Sequence, residues 1–193
     1  MAAVEVATSA DGSTWVGHKE LTGTEATVTF GSTSVADEYI KQTYDHLWLV
    51  MSARTDRGAA YDTLQFRLNG DDTGGNYPFR TMYATGSATP TPAGGNNAVQ
   101  PDGMITDIAG GSSVADFFGT AELWIPHYTN TVNYKQCLAT GGRSTASTTD
   151  WYAGMAATQF IENTAAITEV LLLANGGSFV QYSTFTLYGV TGA

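Results

Sequence analysis

His18, His46 and His127 fall in separate segments, with no His-x-His or His-Glu pairing beside any of them. Imidazoles spread this way offer neither the ligand spacing of a metal site nor a base with an orienting partner, and they read as ordinary surface or rim residues. Serines are abundant, but no Gly-x-Ser-x-Gly elbow presents one as a nucleophile. Cys137 is the only cysteine, which excludes an intrachain disulfide framework and a cysteine-based zinc site. It lies in an apolar stretch without an activating neighbour and is expected to be a small buried hydrophobe. Asp71 and Asp72 stand in a Gly-rich turn, but the spacing Asn69, Asp71, Thr73 is not followed by the distant bidentate Glu of an EF-hand, so these side chains are expected to brace the turn. The pair Asp37-Glu38 and the other carboxylates cannot be matched across the fold from sequence, which leaves a two-carboxylate hydrolase neither shown nor excluded. No catalytic residue, cofactor site or metal site is assigned, and the chain reads as a structural or binding protein.

Aromatic side chains are the remaining chemistry. Trp15, Trp48, Trp124 and Trp151, with ten Tyr and eight Phe, could stack on sugars if several shared an exposed face. Trp48 and Trp124 lie inside strongly apolar runs and are expected in the core. Trp15 and Trp151 sit beside turns and are the better candidates for a subunit or ligand contact.

These residues must be positioned by a chain of 193 residues, long enough to bury a core without disulfides or metals and expected to form one domain. Charged residues make up only 13%, against 42% hydrophobic, with 22 Gly, a balance that suits short strands and many turns. The net charge of −10 has the wrong sign for neutralising phosphates, so nucleic acid is not expected as a partner. Arg54, Arg57, Arg67 and Arg80 could form a local cationic face, although isolated surface arginines are the simpler reading. The longest apolar runs, Leu47 to Met51 and Val170 to Ala174, are far short of a membrane span, and no export signal is visible. A soluble protein that does not meet a membrane is expected.

The strand pattern begins with Thr14 to Val16 and Ala26 to Phe30, separated by a Gly turn, after an N-terminal arm of about residues 1–13. Leu47 to Met51 is continuously apolar, as a strand buried on both faces would be. Leu64, Phe66 and Leu68 alternate with Gln65 and Arg67, the period of a half-buried strand. Asn69 to Asn76 then forms a tight ordered turn, and Tyr77 to Tyr83 is another strand. Residues Gly86 to Gly103, rich in Pro, Gly and Asn, are expected to be a long surface loop. Its Pro90, Pro92, Asn96 and Asn97 join Trp15 and Trp151 as candidate contacts to a subunit or ligand. Strands follow at Phe117 to Ile125, Tyr134 to Thr140, Trp151 to Ile161, Ile167 to Ala174 and Phe185 to Val190, with turns at Thr129 to Asn133, Gly141 to Asp150 and Asn175 to Ser178. About nine to ten strands without helices predict an all-β, antiparallel, jelly-roll-like β-sandwich.

Leu64 to Tyr77, with its Asn69-Gly70-Asp71, Thr73-Gly74 and Asn76-Tyr77, resembles the strand-and-turn signature of a family of small tailed-phage virion proteins. Ile125 to Lys135 is similar to the aromatic, Asn-Thr, Tyr-Lys hairpin of that family, and Asn163 to Thr168 through Ser183 to Val190 resembles its closing strand pair. The chain departs at His127, where the family pattern has an acidic residue, and in the individual loop Gly86 to Gly103. The resemblance implies a non-enzymatic β-sandwich on the virion surface, made in the host cytoplasm. As a capsid decoration or cement protein it would bind the major capsid protein and copies of itself, in a homotrimer. The alternatives are a fibre, baseplate or receptor-binding knob of the tail that recognises a host glycan, and a free carbohydrate-binding module.

Overall fold

The computed structural model describes residues 15–31, 40–86, 101–144 and 151–191. Among the described residues there are eleven strands: β1 Trp15–Glu20, β2 Thr27–Phe30, β3 His46–Ala53, β4 Tyr61–Leu68, β5 Phe79–Thr85, β6 Gly103–Ala109, β7 Gly119–Pro126, β8 Lys135–Ser144, β9 Trp151–Phe160, β10 Val170–Ala174 and β11 Thr184–Val190. There is no helix among the described residues. The strands form a seven-stranded sheet, β1-β11-β3-β7-β8-β9-β5, and a four-stranded sheet, β2-β10-β4-β6, with every pairing antiparallel. From β1 to β7 the chain changes sheet at every step, the winding of a jelly roll. The expected antiparallel sandwich is therefore present, with one strand more than the sequence pattern indicates.

Alternation builds the core. Leu47, Leu49, Met51 and Ala53 of β3 point inward beside Ala121, Leu123 and Ile125 of β7, and across the gap they meet Leu64, Phe66, Leu68, Val170 and Leu172 of the smaller sheet. Burying a side chain of this size contributes about 1.5–3 kcal/mol. Cys137 is buried here as expected, and burial pushes its thiol up to about 12.

The turn after β4 is a tight one. Asn69 and Gly70 both have positive φ, 55° and 72°, and Asp71 N–H returns to the Leu68 carbonyl at 3.1 Å. Asn-Gly accepts such a geometry at little cost. The Asp71 carboxylate accepts bonds from Thr73 N–H at 3.2 Å and from the Asn76 amide at 3.1 and 3.2 Å, so it braces the turn. The hydroxyl of fully buried Tyr77 fastens the same turn from inside, accepting from Leu68 N–H at 2.8 Å. In the β7–β8 connection, Asn130 Oδ1 accepts from the amides of Val132 and Asn133, and the buried Lys135 ammonium donates to the carbonyls of Asn130, Asn133 and Thr164.

Several expectations change. The run Leu47 to Met51 is buried on one face only, with Trp48 and Val50 half-buried on the other. Residues 141–144 continue β8 instead of turning. The closing strands β10 and β11 lie in different sheets and do not pair with one another. No cationic face forms from the four arginines. Arg54 donates to the carbonyls of Gly111, Ser113, Val114 and Phe117, Arg57 pairs with Asp62, and Arg67 pairs with Asp102 and Asp72.

Candidate binding face

The outer face of the seven-stranded sheet gathers the side chains that the strand register aligns. One row crosses it as Tyr188, Trp48, Trp124, Leu138, Ala157 and Arg80, each the cross-strand partner of the next. The adjacent row runs His18, Thr186, Val50, Glu122, Thr140, Met155 and Met82. Glu122 and Arg80 carry the only formal charges in these two rows, on a chain whose net charge is −10. Large apolar groups stand in the open here: Leu138 is 45% exposed, Met82 49% and Met155 36%.

Ring contacts order the first half of the face. Trp48 lies 5.5 Å from Tyr188 at 33°, and its indole N–H donates to Glu122 at 3.3 Å. Trp124 lies 5.1 Å from His46, whose ring meets His127 edge-on at 4.7 Å. His46 Nδ1 accepts from the His127 backbone N–H at 3.0 Å, which leaves Nε2 to carry the proton in the neutral ring. His127 has φ 48°. The histidines thus hold rim geometry, and His18 Nδ1 contacts Thr186 Oγ1 at 2.8 Å.

Trp48 and Trp124, expected in the core, belong to this outer surface. Trp15 opens β1 and pairs in register with Tyr188. Trp151 opens β9, lies opposite Ser144 and is 38% exposed. Pro90, Pro92, Asn96 and Asn97 lie outside the described residues, as do Asp37-Glu38 and the N-terminal arm. The sequence reading missed Leu138, Met155 and Met82 entirely.

No group of three or more His, Cys, Asp or Glu side chains that could hold a metal occurs among the described residues. Carboxylates do approach one another where β4 meets β6. Asp62 is consumed by the fold, accepting from Arg57, Thr55 Oγ1 and the amides of Thr63 and Gly176. Asp107 accepts from Thr63 Oγ1 at 3.0 Å, and burial raises its pKa above the usual carboxylate range. Both side chains act in holding strands and loops together.

No protein-family profile matches this sequence, and no curated protein does. Among solved structures, the chain has a distant likeness to the Ruminococcus gnavus IT-sialidase CBM40 bound to alpha2,3 sialyllactose, with a TM-score of 0.34 and 12% identity, over 93% of this chain and 95% of that one. At this score no shared site is argued, and the face is characterised by its own residues: aromatic on the β11, β3 and β7 side, aliphatic and thioether on the β8, β9 and β5 side.

Proposed function

We propose that this chain is a non-catalytic virion structural protein, a decoration or cement protein that docks on the coat lattice through the outer face of its seven-stranded sheet. The observation that carries the reading is the run of exposed and half-buried aromatic, aliphatic and thioether side chains across that face. Enrichment in aromatic residues and Met marks the centre of protein interfaces, and in the two rows of this face one carboxylate, Glu122, and one guanidinium, Arg80, stand among aromatic, aliphatic and thioether side chains. Size agrees. Six interstrand spacings of ~4.8 Å by strands of ~27 Å give roughly 800 Å², one partner's share of a standard interface. The likeness of Leu64 to Tyr77 and of Ile125 to Lys135 to tailed-phage virion proteins supplies the biological setting and the expected partners, the major capsid protein and copies of this chain.

The test is particle stoichiometry combined with Met155→Glu. Copy numbers of roughly hundreds per particle support decoration, whereas six to eighteen would place the chain in the tail and overturn the reading. Met155→Glu inserts a charge among the exposed thioethers on the β9–β5 side of the face without touching the core, so the variant should fold normally yet fail to rebind depleted particles. Normal rebinding would remove the face from the interface. The Tyr188, Trp48 and Trp124 row favours a second reading, a glycan-recognising tail knob or a free carbohydrate-binding module, which a low copy number with glycan binding would support.

A further inference from the structure

At the margin of the face, past the Trp124–Leu138 row, β8 and β9 place Gln136 and Gln159 directly opposite one another. Beside them, the small side chain of Ala157 sits between Leu138 and Arg80 and leaves a depression. A groove of about 550 Å³ opens there, walled by Pro78, Phe79 and Ile161 and edged by Arg80 and the two carboxamides. Gln136 also borders a second hollow of about 320 Å³, whose walls include His127, Asn133 and Tyr134. Tyr134 is 56% exposed.

We infer that this double groove is a saccharide-binding site for a neutral oligosaccharide of more than one ring, with Gln136 at the junction of two sugars. A carboxamide offers both donors and an acceptor, and a sugar hydroxyl is itself both donor and acceptor, so two neighbouring glutamines and a guanidinium fork match vicinal hydroxyl pairs. The C–H face of the same ring needs apolar or aromatic cover, which Pro78, Ile161 and Tyr134 provide. A phosphorylated ligand fits poorly. Lys135, although beside the second hollow, spends its ammonium on three backbone carbonyls. Among the described residues Arg80 is therefore the one cation available to a ligand in the groove, on a chain of net charge −10. A purely apolar ligand would leave both carboxamides desolvated without partners. The site lies at the polar rim of the proposed docking face and does not rest on the docking reading.

The experiment is titration of the ¹⁵N-labelled full chain with maltohexaose, cellohexaose, chitohexaose and hexagalacturonate, followed through backbone amides and the side-chain amides of Gln136 and Gln159. At least one neutral hexamer should shift both carboxamides, with affinity nearly independent of salt. Gln136→Ala and Gln159→Ala, both exposed and expected to leave the melting temperature unchanged, should each weaken binding about five- to tenfold, as loss of a neutral hydrogen bond does. No shift with any of the four would overturn the assignment. So would shifts confined to the Trp48–Trp124 row, or salt-sensitive binding of hexagalacturonate alone that survives both glutamine substitutions. Particle rebinding by the same two variants reports on docking separately, so failure of one reading is distinguishable from failure of the other.

Discussion

Asn69→Ala tests how the turn that carries Gly75 and Pro78 into the groove is held in place. Asn69 sits at φ 55° and reaches across to the segment before β10. Its Oδ1 accepts from Thr168 N–H at 2.8 Å and Glu169 N–H at 3.3 Å, and its Nδ2 donates to the Ala166 carbonyl at 3.0 Å. Alanine removes these three bonds and a fourth, donated by Thr168 Oγ1 at 3.3 Å, while the backbone must keep a positive φ. Part-buried amides left without partners cost about 2 kcal/mol in total after some rehydration, and a left-handed alanine adds ~1 kcal/mol. The sum, about 3 kcal/mol, corresponds to a fall of roughly 6–12 °C in melting temperature for a chain of this size. Asn69→Gly removes the same bonds but relieves the φ, so it should recover ~1 kcal/mol. Urea unfolding followed by tryptophan fluorescence gives both values. A loss below ~0.5 kcal/mol for Asn69→Ala, or identical losses for Ala and Gly, would refute the claim that side-chain bonds and conformation both hold the turn.

Three further outcomes follow from buried groups. Tyr77→Phe deletes the hydroxyl that meets Leu68 N–H and the Asp71 carbonyl, and should cost about 1–3 kcal/mol in urea unfolding with no change in slope; an unchanged midpoint would show that those backbone groups find other partners. Asp107 has its folded pKa raised by burial, so the fold favours its protonated form, and its contribution to stability is lost as pH rises through the ordinary carboxylate range towards the folded pKa. Asp107→Asn should therefore melt higher than the parent at pH 7, with the difference closing on acidification; a variant that melts lower at pH 7 contradicts this sign. Cys137, fully buried with its thiol at about 12, should resist a thiol reagent at pH 8 until urea unfolds the chain, and rapid labelling of the native protein would mean that β8 opens locally.

Much of the fold was legible because period-2 alternation survives where strands pair without interruption, as where β11 lies against β3 and Phe185, Leu187 and Gly189 are buried while the residues between them are not. It failed at β6. There the register with β4 shifts between Leu64 and Gln65, and the burial pattern of Gly103–Ala109 follows no simple alternation. Gly141 and Gly142 read as a turn, yet they continue β8. A Cβ at Gly141 would come within 2.6 Å of the Thr120 carbonyl oxygen and 2.7 Å of the Thr106 side chain, so glycine here marks close approach of neighbours.

The binding face was hidden for a different reason. Hydrophobicity says that a side chain leaves water, but phase says which side of the sheet it stands on. Trp48 is in phase with His46 and Ser52, and Trp124 is in phase with Thr120 and Glu122, so both tryptophans had to point away from Leu47, Leu49, Leu123 and Ile125. That signal was present in the sequence. The juxtaposition of Arg80, Gln136 and Gln159 was not, because it depends on β5 joining the far side of β9, a pairing between strands some seventy residues apart in the chain that no local pattern specifies. Turn chemistry sets the phase within each strand, and sheet order decides which strands become neighbours. A face built by one and a groove built by the other can therefore change independently, so replacing both Gln136 and Gln159 by alanine should alter ligand recognition while leaving the Trp48–Trp124 register intact.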